Sequence, residues 1–453
     1  MGTATRERTG RGTADASGTS RRQRRGRRPG NEPAATTSAA SAASAAPASA
    51  VLRPASRTSR VSPLLRQLVL VEVALAAAVV GAALGGMWMV PGMVVAGVLV
   101  VVAVIRRRGT ALQDWLSTAL ALRSRQRMPV RHAPDAEASL GPIVESVPGF
   151  APFVYIDRER RTVGMLGDGT FLTAVVRVEA SGEALRPAFG ARALPLTLLG
   201  EALEVDDIVL ESAQLVQQVR CAPAPHLPAR SVARLSYAPL QEQTGAPALR
   251  MTWVAVKLDP ELCREAVEAR GGGVAGAQRC LVRMADHVAS RISGAGFKAT
   301  VLDQEELNTA VATSACANPI QSARAVRQEA ATQRRTKETA RVWRCDDRWH
   351  TTYAVDRWPE LGRGATPLPK LVALLTSVPA YATTFSLTVR RGAHQGAVSV
   401  AGHVRITGGS DTELVSVRRT LVQAARVAKV GLVRLDREQL PGVLATLPLG
   451  GAQ

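Results

Sequence analysis

The stretch "FLTAVVRVE", Phe171–Glu179, has the alternation and the β-branched content of a half-buried strand. It follows a tight turn at Gly167-Asp168-Gly169 and precedes segments that switch between helical and extended patterns. These segments are a short helix at 194–203, strands at 208–219 and 249–259, an amphipathic helix at 274–293 and a strand at 297–302. The order β-α-β-β-α-β is that of a ferredoxin-like unit, which we predict for 150–303.

The C-terminal part of the chain repeats this order. Strand patterns at 350–358, 381–391, 397–407 and 430–436 alternate with helix patterns at 368–378 and 411–428, the second capped by Ser410 or Asp411. This predicts a second lobe, 350–453, joined to the first by a helical connector, 304–349. Helices on one face of each sheet would leave the other face to pack on the sister lobe or on a partner.

The N-terminal part contains a long apolar run centred on "VVGAALGGMWMVPGMVV", Val79–Val95. No charged residue occurs from Val73 to Ile105, and one helix of that length would be about 50 Å long against a hydrocarbon core of ~30 Å. Gly85, Gly86 and Pro91 interrupt its middle. We therefore predict a transmembrane hairpin at 63–108, with spans at about 68–84 and 87–105. One tilted span and a cleaved signal peptide are the alternatives.

The distribution of charge predicts the orientation of this hairpin. The whole chain has a formal net charge of +20, and residues 1–62 are rich in arginine. Arg106, Arg107 and Arg108 follow the second span. Because positive residues near span ends stay cytoplasmic, we expect a plasma-membrane protein with two spans and both termini in the cytoplasm. The predicted fold class is thus α+β, a transmembrane hairpin followed by a cytosolic region of two tandem β-α-β-β-α-β lobes.

The segments beside the hairpin are polar or amphipathic. Residues 1–62 have few large apolar side chains, which predicts a disordered basic tail close to anionic membrane lipid. Nucleic-acid binding through Arg21–Arg28 is the alternative, but aromatic residues make up only 4% of the chain. Residues 109–149 predict a juxtamembrane helix and a linker. Trp115 belongs to an apolar face of this helix, which would lie on the bilayer, dock a partner or extend the second span.

Motifs for catalysis or cofactor binding are mostly missing from the sequence. No P-loop pattern occurs, and "GGGVAG" at 271–276 follows a helix instead of a strand, so we interpret it as a joint between helices. The five cysteines are dispersed and predict reduced packing residues. We expect no cofactor, no metal, no nucleic acid and no small-molecule substrate.

The segment "RCDDRWH", Arg344–His350, carries the main alternative to this interpretation. A thiol, two carboxylates and an imidazole lie close together in the sequence, so a membrane-anchored enzyme could have its site around Asp346, Asp347 and His350. A turn in which Asp346 or Asp347 pairs with nearby arginines is the structural interpretation, and we favour it.

Several stretches together resemble a known family. They are the arginine-flanked apolar run and "GMLGDGTFLTAVVRVE", "SYAPLQEQTG", "TWVAVKLDPELCREAV", "ARGGGVAGAQR", "WRCDDRWHTTYAVDRWP" and "LDREQLPGVLATLPLG". The chain is similar over nearly everything after residue 60 to EccE, a membrane component of the actinobacterial type VII (ESX) secretion translocon. The resemblance implies a non-enzymatic structural subunit that assembles with EccB, EccD and the ATPase EccC during protein export.

Within such an assembly, residues of the apolar run are the candidates for contacts between subunits. Glu72 could pair with another subunit, and small residues would allow helices to approach closely. The candidate assembly residues are Glu72, Gly81, Gly85, Gly86, Pro91, Gly97, Arg106, Arg107, Arg108 and Trp115.

Overall fold

Helices and strands are defined in the larger part of the chain. The computed structural model describes residues 52–54, 63–104, 106–107, 110–128, 138–147, 149–180, 193–221, 228, 230–232, 235–236, 239, 249–327, 334–359, 367–392, 394 and 397–451. The predicted basic tail lies outside the described residues except for 52–54. Arg108 and His226 also lie outside them.

Twelve α-helices are described, and short 3₁₀ turns occur at Gly86–Trp88 and Pro260–Cys263. The helices are α1 (Pro63–Leu84), α2 (Met89–Val104), α3 (Leu112–Arg127), α4 (Gly141–Val144), α5 (Thr197–Glu201), α6 (Arg264–Ala269), α7 (Gly273–Gly294), α8 (Gln304–Ala315), α9 (Pro319–Arg327), α10 (Leu368–Thr376), α11 (Asp411–Val427) and α12 (Gln439–Leu444). Ser410 caps α11, as the sequence suggests. Asp303 also forms a capping box with Glu306 at the start of α8, which was not predicted from the sequence.

The strands are β1 (Leu52–Pro54), β2 (Arg106–Arg107), β3 (Thr110–Ala111), β4 (Ala151–Ile156), β5 (Thr162–Gly167), β6 (Leu172–Ala180), β7 (Glu204–Val205), β8 (Ile208–Val209), β9 (Ser212–Arg220), β10 (Leu249–Leu258), β11 (Phe297–Val301), β12 (Thr336–Glu338), β13 (Trp343–Cys345), β14 (Arg348–Arg357), β15 (Ala382–Arg391), β16 (Val398–Gly408) and β17 (Gly431–Arg434). Thirteen of them form one large sheet, and β2-β3 and β7-β8 are separate pairs. The large sheet is antiparallel apart from the pairing of β1 with β16.

Each half of the large sheet contains a β-α-β-β-α-β segment. In the first half the strands lie in the order β11-β6-β10-β9, and in the second half in the order β17-β14-β16-β15. In both halves the fourth and third strands of the segment flank the first strand, and the second strand lies outermost. β4 and β5 extend the first half, and β12 and β13 extend the second.

The two halves meet through their second strands. β9 pairs antiparallel with β15 from Ala213 opposite Val389 to Val219 opposite Thr383. Leu215 faces Leu387 near the middle of this pairing. Because main-chain hydrogen bonds join the halves, the sheet is continuous across the molecule, whereas the sequence suggested lobes packed face to face or against a partner.

Helices of each half cover the same face of the sheet. In the first half α5, α6 and α7 enclose a core that includes Met165, Val254 and Leu281. In the second half α10 and α11 enclose a core that includes Phe385 and Leu421. The amphipathic stripe predicted on 274–293 is buried in this way, since Leu281, Met284, Ala285, Val288 and Ile292 all lie in the first core.

The opposite face of the sheet is covered by other parts of the same chain. α4, α8, α12 and the segment that follows α12 pack there around Trp253, Trp343 and Leu447. The connector predicted at 304–349 is only partly helical: α9 ends at Arg327, and β12 and β13 follow.

The predicted transmembrane hairpin is wrong, and the fold class and the two-span plasma-membrane localisation are wrong with it. Among the described residues, no helix combines the length and the apolar character that crossing a membrane requires. The apolar run is divided at Gly85, and α2 has 16 residues, about 24 Å against a hydrocarbon core of ~30 Å. α1 has 22 residues, but Arg66 and Glu72 lie in its first half. The structure instead has mixed helices and a large antiparallel sheet.

Candidate assembly surface

α1 and α2 form a close helical pair whose crossing point is made by two glycines. A Cβ atom placed on Gly81 would lie 2.9 Å from Gly92 Cα, and one placed on Gly92 would lie 2.8 Å from Gly81 Cα. Such distances leave no room for a side chain at either position. Gly81 was expected at a close contact, but its partner Gly92 was not, because a pairing across a turn has no signature in the sequence.

The other candidate glycines and Pro91 do not form the helix crossing. Gly85 and Gly86 adopt φ values of 60° and 54° between the helices, a conformation that favours glycine. Pro91 lies in the first turn of α2, where a missing N–H is tolerated. Gly97 has nothing within 4 Å of a Cβ position, so it makes no close helix contact within the described chain.

Large apolar side chains cover the outer surface of this helical pair. Val79, Val90 and Val94 are 60%, 70% and 59% exposed, and Trp88 in the turn is 64% exposed. Soluble monomers rarely expose so many contiguous apolar side chains, and such surfaces mark interaction sites. We call this area the valine surface and define it by Leu75, Val79, Val80, Val90, Val94 and Val98.

One charged candidate lies near the middle of α1, and two lie directly after α2. Glu72 is exposed on α1. Arg106 and Arg107 form β2, which pairs with β3 and leads the chain from α2 into α3. These positions follow directly from the sequence order.

α3 is attached to the sheet by a nearly buried ion pair. Arg125 Nε donates to Glu338 Oε2 at 2.8 Å and Arg125 Nη2 donates to Glu338 Oε1 at 3.1 Å. The side chain of Glu338, on β12, is 5% exposed, and that of Arg125 is 23% exposed. A bidentate hydrogen bond to a buried carboxylate fixes the orientation of both side chains. We call this contact the Arg125–Glu338 latch.

Further contacts extend the latch. Arg125 Nη2 also donates to the carbonyl of Arg437 at 2.7 Å, and Gln126 donates to the carbonyl of Glu338 at 2.9 Å. The guanidinium of Arg437 lies 4.9 Å from the ring centroid of Trp115, a cation–π distance. The apolar face that contains Trp115 therefore packs, in part, on the chain's own C-terminal region.

The "RCDDRWH" segment forms a hairpin turn between β13 and β14. Asp346 has φ of 51° and accepts hydrogen bonds from Arg335 Nε and Nη2, both at 2.8 Å, and from the Asn318 main chain. Asp347 accepts from the Asn318 side chain at 3.1 Å and lies 3.4 Å from Arg348. Both carboxylates are thus held by arginines in a turn, as the structural interpretation predicts.

Burial leaves the thiol and the imidazole of this segment in their neutral forms. Burial raises the pKa of the Cys345 thiol well above its usual value, and the Asp346 charge adds to this effect. Burial lowers the pKa of His350 well below its usual value, helped by the charges of Arg405 and Arg348. His350 Nδ1 lies 3.0 Å from Thr407 Oγ1. A protonated, buried thiol is a poor nucleophile. Hydrogen bonds and ion pairs hold both carboxylates, and the Asp347 side chain is 47% exposed.

A buried polar area lies under the C-terminal segment. Gln214 on β9 donates from Nε2 to Ser386 Oγ and to the carbonyl of Ala445, both at 2.8 Å. Its Oε1 accepts from the main-chain N–H groups of Leu449 and Gly450, at 3.2 and 2.8 Å. One glutamine therefore binds the irregular C-terminal segment to the strands at the junction of the two halves.

Arg405 is the most unusual member of this polar area. It is fully buried on β16, donates to Thr384 Oγ1 at 3.2 Å and to the carbonyl of Ser314, and burial lowers its pKa. Its Nε and Nη1 have no partner among the described residues. Within the same part of the chain, no group of His, Cys, Asp and Glu side chains is arranged to hold a metal ion.

Part of the chain is similar to a known protein family. Residues 246–355 match the family model EccE, described as "Putative type VII ESX secretion system translocon, EccE". These residues include β10, α7, the Arg125-binding strand β12 and the "RCDDRWH" turn. The resemblance to EccE noted in the sequence is confirmed over these residues.

Individual EccE proteins are similar to part of the chain. The ESX-1 secretion system protein EccE1 of Mycobacterium tuberculosis is 27% identical over 223 residues, which cover 46% of this chain and 42% of the relative. The EccE1 protein of Mycolicibacterium smegmatis is 26% identical over 223 residues, with the same coverage. The match thus spans less than half the length of either relative. Both names denote secretion-system proteins and neither denotes an enzyme.

Proposed function

We propose that this chain is a non-catalytic structural subunit of a type VII secretion translocon. In this proposal the valine surface packs against an apolar surface of another translocon component, and the sheet braces the neighbouring domains. EccB, EccD and the ATPase EccC are the expected partners, with EccC supplying the energy for export. The observation that carries the proposal is the exposed valine surface on a helical pair that is joined through α3 to a rigid sheet.

The Arg125–Glu338 latch supports a bracing role. A surface that moved freely on a linker could bind a partner but could not transmit its position to the sheet. α3 follows α2 after a short β-hairpin, and the latch fixes α3 to β12 through a nearly buried carboxylate. Binding at the valine surface would therefore also orient the sheet.

The contacts of the "RCDDRWH" residues also support a structural role. Asp346 and Asp347 bind arginines and an asparagine, and His350 is buried with its Nδ1 beside Thr407. The names of the relatives agree, since they denote secretion-system proteins.

Co-purification tests the proposal. A tagged chain with Val94→Gln and Val98→Gln should no longer recover EccB, EccC and EccD from cells, because two polar side chains would enter an apolar interface. The matched control is Val427→Gln, which changes a valine that is 67% exposed on α11, outside the valine surface. Full recovery of the three partners with the double variant would refute the proposed surface. Loss of export with complete recovery after Asp347→Ala would favour an enzyme instead.

A further inference from the structure

A groove lined by three arginines lies at one end of the large sheet. It has a volume of about 550 Å³ and lies between the end of β4 and the joint of α6 with α7. Arg158, Arg270 and Arg279 line it together with one acidic residue, Asp157. The groove is far in sequence from the valine surface and shares no residue with it.

The glycine motif explains how two of these arginines meet. Gly271, Gly272 and Gly273 have φ values of 101°, 67° and 57°, which reverse the chain between α6 and α7. The reversal lets Arg279, two turns into α7, donate to the carbonyl of Arg270. The "GGGVAG" stretch thus brings together the guanidinium groups that line the groove.

Neighbouring arginines differ from those of the groove in their partners. Arg161 binds Asp286, Arg283 binds Asp206, and Arg291 binds Glu201. In contrast, neither Arg270 nor Arg279 forms an ion pair with a described residue. Both donate to main-chain carbonyls, and Arg270 also makes a hydrogen bond with the Cys280 side chain. The guanidinium of Arg158 makes no hydrogen bond or ion pair with any described residue. Three arginines without carboxylate partners in one concavity are complementary to a ligand that brings carboxylates.

The remaining wall of the groove points to an extended peptide. Tyr155 and Ile156 supply an apolar surface, and Ile156 is 64% exposed. β4 is the terminal strand of the described sheet and pairs there with β5 on one side only. An unpaired strand edge accepts an extended segment through main-chain hydrogen bonds, while alternate side chains of the segment enter neighbouring pockets.

We propose that this groove binds an extended acidic segment of a partner protein. The segment pairs with the outer edge of β4, its carboxylates contact Arg158, Arg270 and Arg279, and its apolar side chains contact Tyr155 and Ile156. The chain's net charge of +20 favours an acidic partner over a second copy of itself.

Peptide binding to the purified full-length chain tests this proposal. The probe is a short fluorescent peptide of alternating valine and glutamate, and its binding is measured by fluorescence anisotropy. Peptides of the same length with glutamine or lysine in place of glutamate serve for comparison. The glutamate peptide should bind best and weaken as salt rises. Equal binding of the lysine peptide, or binding that is independent of salt, would overturn the proposal.

Charge reversal locates the binding site. The Arg158→Glu and Arg279→Glu double variant should weaken binding by about 10-fold or more, because two attractive contacts become repulsive. The loss of peptide affinity should be smaller in the Arg158→Gln and Arg279→Gln double variant, which removes the positive charges but adds no negative ones. Arg419→Glu, an exposed arginine of α11, is the matched control and should bind normally.

Hydrogen exchange and competition complete the test. Peptide binding should slow exchange at the β4 amides, and unchanged exchange there would overturn the edge-pairing part of the proposal. Stronger displacement by single-stranded DNA or inorganic phosphate than by unlabelled peptide would assign the groove to phosphate groups and refute it. None of these readouts depends on the valine surface, so the two proposals fail separately.

Discussion

Replacing Glu338 by glutamine should release α3 from the sheet. The Glu338 carboxylate accepts two hydrogen bonds from Arg125 and a third from the main-chain N–H of Leu440 at 2.9 Å. Glutamine keeps one oxygen for Leu440 but presents an N–H₂ group to the guanidinium. Hydrogen bonds to charged groups contribute about 1.5–3 kcal/mol each. Because Arg125 remains partly solvated, we expect a net loss of about 2 kcal/mol.

Hydrogen exchange of the full chain measures this loss locally. A loss of about 2 kcal/mol corresponds to roughly 30-fold faster exchange at the α3 amides if α3 opens without unfolding the sheet. Arg264→Met is the matched control, because Arg264 and Glu261 form a pair on the surface whose side chains are 69% and 67% exposed. Its loss should have little effect on stability.

Two results would refute the reasoning about the latch. Unchanged exchange in α3 would mean that other contacts, such as Trp115 with Arg437, hold the helix alone. Equal acceleration at α3 and in the core strands β6 and β10 would mean that α3 opens only when the whole sheet unfolds. A double-mutant cycle with Arg125→Met then measures the coupling energy of the pair directly.

Three further predictions concern the helical pair, the polar area and pH. Gly92→Ala should lower the melting temperature measured by circular dichroism, because its Cβ would lie 2.8 Å from Gly81 Cα. Gly97→Ala, where a Cβ would meet nothing within 4 Å, should raise the melting temperature or leave it unchanged. Equal effects of the two substitutions would contradict the glycine crossing. Gln214→Leu should expose the C-terminal segment to carboxypeptidase, since four hydrogen bonds are lost, and resistance equal to wild type would contradict the role of this glutamine. Because the folded-state pKa of His350 is depressed, the unfolded chain takes up a proton first, and stability should fall as pH drops below the unfolded value of ~6.5. His350→Gln should reduce this loss by about 2 kcal/mol at pH 5 in urea unfolding, and an unchanged pH dependence would contradict the buried neutral imidazole.

The strand and helix order of the sheet has a clear sequence signal, because each element follows a simple period. The stripe on α7 is an example, and it is buried where the pattern places it. The strand β6 lies where the alternation predicts it, but all residues from Leu172 to Val176 are buried, so the strand is covered on both faces and is not half-buried. The pairing of β9 with β15 has no such signal. The local sequence pattern of two strands is the same whether they pair in one sheet or belong to two separate sheets. Register between distant segments depends on long-range contacts that a local period does not contain.

The error at the apolar run has a different physical origin. The stretch from Val73 to Ile105 has no charged residue, but the break at Gly85 leaves α2 with only 16 residues. A run that is apolar on all sides is also expected for helices that pack against other proteins. The sequence pattern alone does not separate these environments.

The contacts that hold the candidate site together were also missed. Arg125 and Glu338 are ordinary surface residues by type, and only their fold neighbours make them nearly buried partners. Gln214 lies on a strand whose polar residues suggest exposure, yet the C-terminal segment covers it. Side chains that satisfy main-chain groups of a distant segment carry no local signature.

The junction between the two halves is formed by equivalent strands of the two halves. β9 and β15 are the second strands of their segments, and they run antiparallel about the pair Leu215 and Leu387. Two copies of either half could meet in the same way about a twofold axis, as in an isologous dimer. A chain severed between the halves would therefore expose one unpaired strand edge on each fragment, and each edge would be open to pairing with a second copy of itself.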